Sequence, residues 1–151
     1  MNVTILLVAT ILIWIAVFVG LYQRIFEMPK WFSNPPASFE LIRQQSKKAR
    51  IFWIPLSASF MISACTALIL NWQFADTRIH IIGALVCFGI TGALSGLYFV
   101  KEILSFTKIP KDSSPTPELL RRVKVWLRWT SVRDVLQFCA ALFISIAYNH
   151  I

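Results

Sequence analysis

Charge and metal-binding chemistry are what this chain has least of. Its 151 residues include seven carboxylates, fifteen Lys and Arg, two histidines and three cysteines, so 15% are charged. A water-soluble domain carries roughly 25%. Each scarcity excludes a class of function. Cys65, Cys87 and Cys139 stand singly, without the C-x-x-C pair that thiol–disulfide chemistry uses, and read as small packing residues. His80 and His150 both fall at the outer ends of apolar runs. A membrane haem needs axial ligands at matched depth, and a di-iron bundle needs inward Glu and Glu-x-x-His pairs. No carboxylate stands in the middle of an apolar run, where ion-coupled carriers place one. The expected metal and cofactor content is none.

What is abundant is uncharged apolar sequence. Hydrophobic residues make up 57% of the chain, gathered in four runs without Lys, Arg, Asp or Glu: 1–23, 51–75, 79–100 and 135–151. A hydrocarbon core of about 30 Å is crossed by roughly 20 helical residues, and in lipid a helix satisfies every backbone polar group internally. The first three runs are long enough, and the fourth becomes so if its helix starts near Trp129, with Arg133 and Asp134 at the headgroup boundary. The expected fold is all-α, an integral membrane four-helix bundle with two cytoplasmic amphipathic connecting helices. One domain covers 1–151, with spans near 3–23, 52–72, 79–100 and 130–149.

The connecting helices follow from periodicity. Phe39, Ile42, Ser46, Ala49 and Trp53 recur at helical spacing while Arg43, Lys47 and Arg50 line another face. This predicts a helix lying at the interface that leads into the second span, with a kink at Pro55. In the third connecting segment Ser113 to Pro117 forms a loop, and Thr116 with Pro117 makes an N-cap and first-turn pair. Leu119, Leu120, Val123, Trp126 and Leu127 then oppose Arg121, Lys124 and Arg128. Trp53, Trp126 and Trp129 are expected in the aromatic belt.

Basic residues set the orientation. The first and third connecting segments carry 14 Lys and Arg, the middle one only Arg78. Both long segments are therefore expected in the cytoplasm and both termini outside, in the periplasm of a bacterial inner membrane. The first run has no positive charge before it and continues for a full bilayer width, so it reads as a retained helix and not a cleaved signal peptide. Asn2-Val3-Thr4 fits a glycosylation sequon too near the membrane for modification. The basic residues flank spans instead of forming a continuous reading face, so the partner they point to is the bilayer, through its anionic lipids, and not a nucleic acid. Self-association stays open.

The most unusual polar set lies at the expected cytoplasmic mouth: Tyr22, Arg24, Glu27, Tyr98, Lys101, Glu102, Trp129, Arg133 and Asp134. Trp126, Trp129 and Arg133 are expected to share a helix face, with Arg133 turned to a phosphate or to a carboxylate such as Glu27 or Glu102. Two readings follow. One is a structural ion pair with interfacial anchoring. The other is a pocket for an apolar or phenolic small molecule, lined by Tyr22, Glu27, Tyr98, Glu102, Trp126, Trp129 and Arg133, in which an anionic or phenolic oxygen meets Arg133.

A shift of 76 positions places Gly20-Leu21-Tyr22 on Gly96-Leu97-Tyr98, Lys48 on Lys124 and Trp53 on Trp129, as a parallel internal repeat would. Gly20-Leu21-Tyr22, Met28-Pro29 and Trp126-x-x-Trp129-x-x-x-Arg133 together resemble the anthrone oxygenase-like membrane proteins. That resemblance implies four spans. Where an activity is assigned in that family, it implies metal-free and flavin-free oxidation of phenolic anthrones to quinones by O2, with Arg133 the candidate catalytic residue here. The membrane-associated eicosanoid and glutathione proteins share the four-span layout but need Arg, Asn and Glu on the second span. Between Ile51 and Ala75 there is no Arg or Glu.

Overall fold

The computed structural model describes residues 3–150, so Asn2 of the sequon lies outside the described residues. It is 86% helical and has no strand among those residues. Four long helices account for nearly all of it: α1 (Val3–Trp31), α2 (Phe39–Leu70), α3 (Ala75–Thr107) and α4 (Pro117–Asn149).

The breaks fall where local chemistry demands them. After α1 the chain meets Pro35 and Pro36, which remove two successive backbone donors, and their shared peptide bond is cis. Between α2 and α3 the fully buried Asn71 bonds back through Nδ2 to the Ala67 carbonyl at 2.9 Å, closing the last turn of α2. At the start of α4 the Thr116 hydroxyl accepts from the Leu119 amide at 3.2 Å, with Pro117 in the first turn.

The two amphipathic segments are not separate connecting helices. The stretch beginning at Phe39 is the first part of α2, and that beginning at Pro117 is the first part of α4; each runs unbroken into the apolar sequence after it. α2 continues through Pro55. Uncharged runs mark where a helix can meet lipid, whereas helix ends are set by prolines and caps, and neither charge nor amphipathicity ends a helix. The helices therefore reach 29 to 33 residues, or about 44 to 50 Å.

Two cores fix the topology. One gathers Leu6, Ile13, Phe60, Ala64, Ile81, Ala84, Ala140 and Ile144; the other gathers Met28, Trp31, Phe39, Ile42, Phe99, Phe106, Leu119, Val123 and Trp126. The first draws on the starts of α1 and α3 and the ends of α2 and α4, and the second on the opposite ends. Successive helices are thus antiparallel. Each packs on its chain neighbours, α1 also packs on α4, and the α3–α4 pairing is the most extensive.

Beside its Leu, Ile and Phe, the first core holds many small side chains. Inward positions include Ala9, Ala16, Ala64, Ala67, Ala84, Ala140, Ala141 and Ala147, whereas Ile11, Ile15, Phe18, Ile62, Ile69, Ile79, Val86 and Val135 point outward. Small inward residues let helices approach closely when no hydrophobic gain distinguishes inside from outside. At Gly83 the approach of α3 to α4 is so close that a Cβ would stand 3.1 Å from Cδ1 of Phe143. The Trp14 indole donates to the Ser145 hydroxyl at 3.0 Å, tying α1 to α4. All four helices are long and apolar enough to cross a membrane.

Two π turns interrupt the α-helical geometry, Gln23–Glu27 in α1 and Ser95–Phe99 in α3. Both lie toward the end that holds the second core and most of the basic residues, called the basic end below. A π turn inserts a residue into the helical repeat and re-aims the side chains around it.

Candidate functional site

The two π turns converge on one stretch of α4, from Trp126 to Asp134. From the first, Arg24 donates through Nη1 to Oδ2 of Asp134 at 3.3 Å and through Nη2 to the Ser131 hydroxyl at 2.6 Å. From the second, the Phe99 ring lies 5.1 Å beneath the Arg133 guanidinium carbon and edge-on to Trp126, with ring centroids 5.5 Å apart. Arg133 in turn donates through Nη2 to Oδ1 of Asp134 at 3.2 Å. One carboxylate therefore serves two guanidiniums. The cluster keeps one positive charge, and its Arg133 side chain is only 18% exposed.

Two donors in this cluster are buried without a hydrogen-bond partner: Nε of Arg133 and Nε1 of Trp126. Trp126 is 3% exposed and is enclosed by Phe99 and by Phe32, whose ring centroid lies 5.3 Å away. Native proteins pair nearly all such groups, and leaving one unpaired costs about 1 to 3 kcal/mol. Two such donors on one helix, each against Phe99, are the feature of this site that its own packing does not account for.

A second cluster stands beside it. Arg122 on α4 clasps Glu102 on α3, with Nη2 to Oε2 at 3.0 Å and Nε to Oε2 at 3.2 Å, and also donates to the Ser105 hydroxyl. Its guanidinium carbon lies 5.3 Å over the Phe106 ring. A shallow cleft of about 280 Å³ opens here, lined by Tyr98, Glu102, Arg121, Arg122 and Val125. Tyr98 and Val125 are the chain neighbours of Phe99 and Trp126, so the cleft adjoins the Arg133 cluster.

Several expectations change. Arg133 pairs with Asp134, its chain neighbour, and with neither Glu27 nor Glu102; Glu102 is held by Arg122, and Glu27 takes part in no ion pair among the described residues. Trp129 is 44% exposed. Three residues after Trp126 and four before Arg133, it stands at the exposed edge of the face they share. Trp126 is buried and not in an outward belt. Tyr22 is exposed and packs on Phe26 with ring centroids 5.1 Å apart. Tyr98 and Glu102 line the cleft.

Phe99, Arg122 and Ser131 were not singled out by the sequence. Arg122 carried a usable signal, since helical spacing sets it beside Leu119 and Trp126 at the edge of the apolar stripe of α4, away from Arg121, Lys124 and Arg128. Phe99 carried none, because its role follows from the π turn.

Among the described residues no group of three or more His, Cys, Asp or Glu is placed to hold a metal ion. No family model, curated protein or solved structure matches the chain.

Proposed function

We propose that the chain is an integral membrane protein of four spans, with its basic end at the cytoplasmic face of a bacterial inner membrane and its termini on the periplasmic side. Its function at that end is to bind an amphipathic molecule from the bilayer. The membrane reading is supported by the outward Ile, Leu, Val and Phe around the first core, and the orientation by the 14 basic residues against one. Helices of about 44 to 50 Å exceed a core of about 30 Å. The second core then stands at headgroup level and beyond, with Arg133 near the boundary.

The observation that carries the binding reading is the partly buried Arg133 guanidinium, which shares its one carboxylate with Arg24 and has a buried, unpaired Nε. Binding is favoured over chemistry because Asp134 and Glu102 are each engaged by guanidiniums, so neither is a free base. Native mass spectrometry from mild detergent is expected to find a retained amphiphile that Arg133→Ala loses. A clean, ligand-free protein from several gentle extractions would overturn the reading. For orientation, cysteines placed at Asn34 and Ser114 should react only with membrane-permeant reagents; labelling from outside would reverse it.

A second proposal is a cofactor-independent oxygenase acting on a phenolic or anthrone-type substrate, in keeping with the family resemblance. The aromatic wall of Phe99 and Trp126 below Arg133 is the observation in its favour: it suits a flat phenolate held by the guanidinium. Metal-free protein would then consume O2 with an anthrone or hydroquinone, and Arg133→Ala would not. No uptake across a panel of such substrates would sink it.

A further inference from the structure

We infer that the molecule bound at Arg133 is a monoanionic amphiphile with an oxo-acid head, a carboxylate or a phosphodiester. This inference rests on the binding reading above. Three properties of the site lead to it.

The first is charge. Arg24, Arg133 and Asp134 sum to one positive charge at a partly buried place, and one negative charge neutralises it. A cationic head would be repelled, and a second negative charge would be left uncompensated in a poorly solvated place.

The second is hydrogen-bond polarity. Both unpartnered buried atoms, Nε of Arg133 and Nε1 of Trp126, are donors. A head that only accepts satisfies them, whereas an ammonium does not. Nε shares its guanidinium edge with Nη2, which is on Asp134, so Nε offers an oxo-acid a single bond, and Trp126, also against Phe99, offers another.

The third is position. Val132 of α4 and Val100 of α3, the chain neighbours of Arg133 and Phe99, are exposed, so an acyl chain can lie on the outer apolar surface while its head enters from the boundary. A free fatty acid and an anionic phospholipid share this chemistry.

The test uses full-length protein in phosphatidylcholine nanodiscs and tryptophan quenching by bromine, which acts only near contact. The dibromostearate, dibromo-phosphatidylglycerol and dibromo-phosphatidylcholine compared in separate samples carry bromine on the acyl carbons nearest the head, because Trp126 would meet the head and not the middle of the chain. The chain has six tryptophans, so the difference between the protein and Trp126→Phe isolates the indole of interest. Saturable quenching of that component by dibromostearate or by the phosphatidylglycerol is expected, and whichever acts identifies the source. Arg133→Gln should weaken it about tenfold or more, while Lys47→Gln leaves it unchanged.

If Arg133→Gln does not fold, displacement from the unaltered protein decides instead: unbrominated stearate should compete and stearyl alcohol should not. Equal quenching by dibromo-phosphatidylcholine, or undiminished binding to folded Arg133→Gln, overturns the inference. Displacement by stearyl alcohol would leave amphiphile binding standing and remove the monoanion. Quenching of outward tryptophans with no saturable Trp126 component would leave only the membrane reading, and no quenching of any tryptophan would remove that too.

Discussion

Arg43 of α2 caps α3: its Nε donates to the carbonyl of Thr107, the last residue of that helix, at 2.7 Å. The same guanidinium reaches the Ile109 carbonyl through Nη2 at 2.6 Å, and Glu40 holds Nη1 at 2.6 Å. The last carbonyls of a helix lack intrahelical partners and carry its negative partial charge, so a fixed cation there satisfies both needs. Arg43→Ala is expected to lower stability by about 2 kcal/mol, since hydrogen bonds from charged donors contribute roughly 1.5 to 3 kcal/mol each and this side chain is partly exposed. Arg43→Lys should recover less than half, because an ammonium cannot bridge both carbonyls. Denaturant unfolding in detergent, followed by circular dichroism, measures this. An unchanged midpoint would mean that water replaces the cap without cost.

The ion pairs around Asp134 predict coupling between helices. Arg24 and Arg133 share that carboxylate, so Asp134→Ala removes two attractions and leaves two guanidiniums near each other. With Arg24 and Asp134 side chains 33% and 27% exposed, the cost should fall between the surface and buried limits, about 1 to 2 kcal/mol. Arg24→Ala should then cost about 1 kcal/mol less in the Asp134→Ala background than in the unaltered chain. Strict additivity in that double-mutant cycle would show that the pair does not bind α1 to α4.

The four helices were legible because lipid-compatible runs need no tertiary information. Their ends were less so. Trp31, Phe39, Thr107 and Pro117 lie well beyond the uncharged runs, and only proline and cap chemistry, as at Thr116-Pro117, marked where a helix stops. At the site, the sequence brought Arg24, Arg133 and Asp134 into one polar set but misassigned the partners. Residues i and i+1 do not face each other along a helix, so Asp134 was not an obvious partner for Arg133. The long arginine side chain reaches it anyway, and Glu102 is taken by Arg122 from another helix. Phe99 was hidden because a π turn, set by packing, decides where it points.

The Trp14 to Ser145 bond should contribute little despite joining two helices. Interhelical hydrogen bonds in membrane proteins average about 0.6 kcal/mol, because the unfolded state in the bilayer also finds partners. Ser145 has one at hand, as its hydroxyl also donates to the Ala141 carbonyl at 2.7 Å. Ser145→Ala is therefore expected to shift stability by about 0.5 kcal/mol. A loss of 2 kcal/mol or more would mean that the indole stays unpaired and that this bond, unlike the average, fixes the α1–α4 contact.

Gly83 and Gly89 stand on the same helix and should respond oppositely. A Cβ at Gly83 would meet Cδ1 of Phe143 at 3.1 Å and Cγ at 3.2 Å, whereas one at Gly89 meets nothing within 4 Å. Replacing an unhindered helical glycine by alanine gains up to about 1 kcal/mol from chain entropy and helix propensity. Gly89→Ala should therefore be neutral or stabilising. At Gly83 the same gain is offset by crowding, since forcing atoms into a filled contact costs typically 1 to 3 kcal/mol. The Phe143 ring is partly exposed and can turn outward for a methyl group but not for a branched side chain. Gly83→Ala should thus fall below Gly89→Ala by about 1 kcal/mol, and Gly83→Val should destabilise clearly while Gly89→Val does not. Thermal unfolding of the four variants in one detergent gives this order. Equal behaviour at the two positions would show that α3 and α4 do not approach as closely in the bilayer as the Gly83–Phe143 contact requires.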